Sequence, residues 1–221
     1  MEAGMNKAQR QFWGPYIELV GENNIRIEGM MIKSKFYCGM DISQSQDAEK
    51  YGVGTRNIVI NRYKEYQEIV GREVLKLKDL QEIFMSYVQA PFYDNELVNL
   101  INNFKIDIDD TEYWSLVKSV WTRQELNTAG DRKQNWKQIF SYRPAVDSLK
   151  EGLQESFIAY RAGEADGFSW TLKEEMAKWF QQRFAQEFGK IPLIKKKFAK
   201  KDALFYTNDR GEEEVVIIPR L

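Results

Sequence analysis

Apolar residues recur three or four positions apart between Tyr63 and Val88, at Tyr66, Ile69, Val70, Val74, Leu77, Leu80, Ile83, Phe84 and Tyr87. That spacing puts them on one side of a helix. The preceding residues follow another rule. "NIRIEGMMIKSKFYCGM" (24–40) alternates loosely and "TRNIVINRY" (55–63) is a β-branched run, so the first 60 residues predict short strands and turns. Pro91 interrupts the helical pattern, and Asp94 is placed to cap a short helix toward Phe104. "DIDDTEYWSLVKSVWTRQE" (107–125) predicts a further helix, capped by Thr111, with Trp114, Val117, Val120 and Trp121 sharing a face. "DRKQNWKQIFSY" (131–142) predicts a shorter one, ended by Pro144.

Beyond Pro144 the pattern changes to short alternating runs: "SFIAYRA", "FSWTL", "IPLIKKKF", "DALFYTN" and "EEVVIIP". One amphipathic helix, "KEEMAKWFQQRFAQEF" (173–188), interrupts them. Helices first and strands afterwards imply an α+β chain. The expected division is 1–142, mainly helical, and 143–221, mainly β, with a soft boundary at 143–152.

Composition narrows the chemistry. The 221 residues contain no histidine and a single cysteine, Cys38. Ser-His-Asp and Cys-His catalysis are thereby excluded, as are imidazole-bound zinc and a paired-cysteine zinc site. Any reaction must run on carboxylates, arginine, lysine, hydroxyls or a bound cofactor. Lysine and arginine total 32 against 33 acids, so net charge names no partner. No apolar run is long enough to span a membrane, and no secretory signal is evident, so a cytoplasmic protein is expected.

Four stretches carry candidate chemistry. "GVGTRN" (52–57) resembles part of a dinucleotide fingerprint but lacks its third glycine and a clear following helix, so it reads as a turn. Asp107, Asp109, Asp110 and Glu112 could ligate calcium or magnesium, but without the glycine turn of a calcium loop they read better as helix caps. No metal is expected. Lys190, Lys195, Lys196, Lys197, Lys200 and Lys201 form a strip that could contact phosphates, with Phe198 and Tyr206 available for stacking. The same lysines could simply protect a solvated edge strand.

The fourth is "RGEEEVVIIP" (210–219). If this is a strand, Glu212 and Glu214 share one face and Glu213 points to solvent. Carboxylates two apart on a strand repel with no compensation from packing, and taken alone they read as solvation of a strand end.

Read with the residues upstream, those acids acquire a context. Tyr160-Arg161 on a predicted strand, a nearby glycine, Ser169-x-Thr171, an Ala-x-Trp-Phe helix and Glu212-x-Glu214 follow in that order. This arrangement resembles the arginine–serine–glutamate class of mono-ADP-ribosyltransferases, bacterial and phage-associated members included, over residues 156–218. Arg161 is followed by Ala162 and then Gly163, where the family has glycine directly, which leaves the end of that strand open. A one-residue shift would make Glu213 the key acid, but Gly211 would then occupy the first position, so Glu214 is preferred.

The resemblance implies a split, mixed β-sheet core and NAD+ as co-substrate. It implies that Arg161 holds the NAD+ phosphates, with Tyr160 beside it on the cofactor side. Ser169 would brace the pocket and Thr171 support the same wall. Glu214 would stabilise the cation formed as nicotinamide leaves, and Glu212 would orient the nucleophile or take its proton. Helix 177–184 would pack behind the nicotinamide site, with Trp179 and Phe180 in the core; Trp170, pointing opposite to Ser169 and Thr171 on its strand, reads as core by alternation. The implied acceptor is protein arginine first and a nucleobase of RNA or DNA second. The implied role is an intracellular bacterial toxin or phage-defence effector, and for such a toxin a neutralising antitoxin or inhibitor protein is the expected partner. The alternatives are a non-catalytic nucleic-acid-binding protein using the lysine strip, and a degenerate descendant of the transferase fold.

Overall fold

In a computed structural model, residues 5–45, 48–124 and 131–218 are described. The chain forms an α+β fold with two antiparallel sheets and divides into two compact units. One takes the described residues up to Asp107 with Arg123 and Gln124; the other takes Ile108–Thr122 and the described residues from 131 onward. Among the described residues, no helix is long and apolar enough to cross a membrane.

The first unit opens with α1 (Lys7–Val20), started by a reciprocal cap in which Asn6 and Gln9 accept each other's backbone N–H at 3.0 and 2.8 Å. Strands β1 (Ile25–Glu28), β2 (Met31–Ser34) and β3 (Tyr37–Met40) form an antiparallel meander. Gly29, at φ 60°, makes the first tight turn. The run 55–63, expected as a strand, lies instead inside α2 (Val53–Val70). Its buried positions, Val59, Tyr66 and Ile69, fall on one helical stripe, while Ile58 faces solvent. Tertiary burial overrides β propensity there. "GVGTRN", expected as a turn, thus forms the start of α2 itself, and a π-helical turn, Ala48–Gly52, leads into it where a dinucleotide fingerprint needs a strand.

Helix α3 (Leu77–Glu82) continues into a π-helical turn at Ile83–Tyr87, and α4 spans Tyr93–Asn103. Asp94 is not the cap of α4. It sits in the first turn, buried, and accepts from Gln124 Nε2 at 2.9 Å.

The second unit begins with α5 (Asp110–Arg123), capped by Asp109 rather than Thr111: Glu112 N–H donates to Asp109 Oδ1 at 2.8 Å and Asp109 N–H to Glu112 Oε2 at 3.0 Å. The acidic cluster does act at the helix start, and among the described residues no three metal-ligating side chains converge. After α6 (Asp131–Tyr142) come β4 (Ser156–Ala162), β5 (Ser169–Thr171), α7 (Glu174–Phe188), β6 (Leu193–Ala199), β7 (Ala203–Thr207) and β8 (Glu214–Ile217).

These strands form one sheet in the order β6-β4-β5-β8-β7. Every pairing is antiparallel, whereas the resemblance implied a mixed sheet. The helical connection from β5 returns the chain on the far side of β4, so β5 and β6 run the same way without touching. Alternation then sorts the side chains. Phe157, Ala159, Trp170, Phe198, Val215 and Ile217 build an apolar cluster on one face. On the other, Phe205 and Val216 lie paired, and Trp114, Trp121 and Phe140 of α5 and α6 pack on Phe168 and Phe205.

Candidate functional site

Arg161, Ser169 and Glu214 lie 53 residues apart at their extremes but stand on three adjacent strands, β4, β5 and β8. Register brings two of them together but not the third: Tyr160 pairs with Thr171 and Thr171 with Glu214, so alternation sends Arg161 toward the opposite face, that of Trp170, and it meets Ser169 through the backbone carbonyl. Thr171 pairs directly with Glu214, and Ser169 with Val216, so Ser169, Thr171 and Glu214 share a face. Ser169 Oγ lies diagonally from Glu214 and donates to its Oε1 at 2.5 Å. A second donor, Trp121 Nε1 on α5, reaches the same oxygen at 3.0 Å.

Protein packing around the Glu214 carboxyl pushes its pKa above the ordinary carboxylate range, although the residue keeps some exposed surface. Desolvation is the main cause. The hydrogen bonds from Ser169 and Trp121 oppose it, and the charge of Glu212 adds to it. This leaves a carboxylate that is costly to ionise, gripped by two donors.

Arg161 stands one position before the end of β4, which runs through Ala162 and turns at Gly163, φ 104°. Its Nε donates to the Glu164 carbonyl at 2.8 Å and its Nη1 to the Ser169 carbonyl at 2.5 Å. The guanidinium thus ties the 163–168 loop to β5, and Ser169 links it to Glu214. Burial lowers its pKa, offset by the charges of Asp166, Glu164 and Glu214. Gly167 packs against it so closely that an added Cβ would lie 2.0 Å from the guanidinium carbon. Lys133 of α6 pairs with Asp166 and fixes the same loop from the other side.

The remaining expected residues fall into place unevenly. Tyr160 is on the face of Glu214, paired with Thr171, but its ring sits under the Lys195 ammonium, 5.6 Å from the centroid. Thr171 is buried and donates to the Glu212 carbonyl at 2.5 Å, anchoring the turn before β8.

Glu212 does not share a strand face with Glu214, because β8 starts only at Glu214. Gly211 and Glu213 have φ of 71° and 47°, Glu213 being the one such non-glycine among the described residues. This left-handed kink ends the alternation. Glu212 still lines the same cleft as Glu214, together with Thr122, Thr207, Asp209 and Arg210. Glu213 is only partly exposed and pairs with Lys173 at 3.2 Å, whereas the Ser169 and Trp121 donors both end on Glu214.

The cleft has a cavity volume of about 10 Å³, room for roughly one water and far below the ~300–1,000 Å³ usual for small-molecule pockets. Trp170 belongs to the core as expected, but Trp179 does not: half its surface is exposed on α7. Phe198, offered as a stacking residue, is buried against Phe157 and Trp170. The lysines at 195–197 project from β6, an edge strand, as the protective reading expects.

Two residues at the candidate site escaped the sequence reading, Trp121 and Gly167. Trp121 looked like one more core aromatic of a helix stripe. Gly167, in "DGFSW", carries no signal beyond being a glycine near the serine. No family model, no curated protein and no solved structure matches this chain.

Proposed function

We propose that this protein is a mono-ADP-ribosyltransferase that cleaves NAD+ and transfers ADP-ribose to a macromolecule. The observation that carries the reading is the chain of contacts from Arg161 through Ser169 to Glu214 on three adjacent strands, with Glu212 beside the same cleft. In the split-sheet core that the resemblance implies, these would be the cofactor-facing strands.

The bond between ribose C1′ and nicotinamide nitrogen breaks with its electron pair leaving on nicotinamide. The cationic ribose is stabilised by the Glu214 carboxylate, in the manner of glycoside-cleaving acids. Ser169 and Trp121 hold that carboxylate in place before the reaction, so no reorganisation is needed as charge develops. The acceptor attacks C1′ and loses a proton, which Glu212 is placed to receive. Arg161, whose Nε and Nη1 bind backbone carbonyls, would meet a phosphate oxygen through its remaining guanidinium donors. The cleft has no room for a nicotinamide ring as it stands, so the dinucleotide would lie along the surface with its ribose toward Glu214.

The acceptor order is protein arginine first, since two acids at the mouth suit a cationic group, and a nucleobase second. An intracellular toxin or phage-defence effector, held in check by an inhibitor protein, is the corresponding biological role. The test is to incubate the purified chain with ADP-ribose-labelled NAD+ and cell lysate. Label on protein or nucleic acid, released by no treatment that spares glycosidic bonds, is the expected result. Label remaining only in NAD+ would overturn the proposal.

A further inference from the structure

Two tryptophans of the second unit are fully enclosed and touch each other, Trp121 and Trp136, ring centroids 4.7 Å apart and nearly perpendicular. Their indole N–H groups are treated differently. Among the described residues Trp136 Nε1 is buried with no hydrogen-bond partner, so that side chain serves as filling. Trp121 Nε1 donates to Glu214 Oε1 from 93 residues away. A buried indole normally finds an acceptor, but an acceptor that is itself a desolvated carboxylate is a specific arrangement.

The direction of that N–H is fixed by packing. Phe140, Phe168 and Phe205 surround the Trp121 ring with centroids at 5.4, 6.4 and 6.3 Å, and Trp136 closes the cage. Such a ring cannot turn without displacing several neighbours. Ser169 Oγ approaches from β5, Trp121 Nε1 from α5, and both end on one oxygen.

We propose that Trp121 is a positioning residue that, together with Ser169, pins Glu214 through Oε1 and leaves Oε2 as the oxygen that meets substrate. The inference rests on Glu214 being the working carboxylate. A rigid aromatic cage on a helix outside the sheet thereby sets the orientation of an acid on the sheet. Two donors on one oxygen also draw negative charge toward it, so substrate finds the other oxygen unencumbered.

The test uses nuclear magnetic resonance on the intact chain. With Trp labelled at the indole nitrogen and Glu at the carboxyl carbon, the Trp121 N–H signal should move with pH in step with the Glu214 carboxyl. In Glu214→Gln it should stay flat. Trp121→Phe removes the donor while keeping most of the ring, and should raise the Glu214 titration midpoint, because the lost bond favoured the charged form. Trp136→Phe disturbs the same cage without touching a partnered donor, and should leave that midpoint in place. Nicotinamide release by Trp121→Phe should fall ~10–100-fold with KM little changed, the range expected for a hydrogen bond to a charged group.

A Trp121 signal indifferent to Glu214, or equal shifts of the midpoint in both tryptophan variants, would overturn the inference. If Trp121→Phe does not fold, the wild type and Glu214→Gln spectra decide alone. If the wild type releases no nicotinamide, the transferase reading fails, and the spectra still decide whether Trp121 pins Glu214.

Discussion

Each of the two compact units holds a glutamate enclosed by donors, and the two are held in opposite ways. In the first, Glu96 of α4 is 3% exposed. Tyr66 donates to its Oε1 at 2.5 Å, while the Lys35 ammonium pairs with Oε2 and lies 4.1 Å over the Tyr66 ring. Lys35 also donates to the Tyr66 hydroxyl at 2.8 Å, so the three groups form a closed triangle. Both carboxylate oxygens are occupied and a cation neutralises them. Burial pulls the Lys35 pKa down, and Glu96 opposes that pull. In the second unit, Glu214 has two neutral donors on one oxygen and, among the described residues, no lysine or arginine bonded to it. The difference separates a carboxylate that holds structure from one kept available. A saturated, neutralised acid has nothing left to offer a ligand.

The largest effect that could break this contrast lies at Glu214. Glu214→Gln should cut nicotinamide release by ~10²–10³-fold or more, the loss typical of removing one electrostatic partner from a dry site. The same change should stabilise the fold at neutral pH. A carboxyl whose folded pKa is raised contributes stability that is complete below its unfolded pKa and is lost as pH rises through the folded value. Denaturant midpoints compared near pH 4 and pH 7 check the sign: the gain from glutamine should appear only at the higher pH. For the same reason the acid limb of the wild-type rate profile should lie above the ordinary glutamate range.

Glu96→Gln should behave in reverse. It leaves Lys35 buried against two aromatic rings without its counter-charge. The cost expected is about 2–3 kcal/mol, at or below the ~3–5 kcal/mol of fully enclosed pairs, because Lys35 keeps 26% of its side chain exposed. Denaturant unfolding measures it, and nicotinamide release under native conditions should be unchanged.

Gly167→Ala comes next. Its methyl would meet the Arg161 guanidinium, which two backbone carbonyls and burial hold in place. Displacing it should raise KM for NAD+ ~10-fold with a loss of about 1–3 kcal/mol, the usual range for overpacking. The smallest effect belongs to Glu213→Asn, which relieves a left-handed glutamate at the loss of one half-exposed ion pair. Stability should change by less than about 1 kcal/mol, toward the stable side, by thermal unfolding.

Much of the second unit was legible because its strands are short alternating runs between turn residues, and register follows from which face each run buries. Trp170, flanked by Ser169 and Thr171, could be assigned to the core from alternation alone, and it lies there. Residues 55–63 were not legible, since β-branched side chains favour strands in isolation while Val59, Tyr66 and Ile69 need a helix to reach one core. Asp94 has the chemistry of a cap, but only tertiary structure supplies Gln124 as its partner. The Glu212–Glu214 relation was inferred from an alternation that the kink at Gly211 and Glu213 cancels, and the two meet at a cleft for a reason no spacing rule contains. Trp121 is the sharpest case. Helical periodicity buries it correctly, yet its polar edge acts on a residue 93 positions later.

The most direct measurement is nicotinamide released from saturating NAD+ by the wild type, Glu213→Gln and Glu214→Gln side by side. The account predicts release by the first two at similar rates and almost none by the third. Release that survives in Glu214→Gln, or is absent from the wild type, would contradict it.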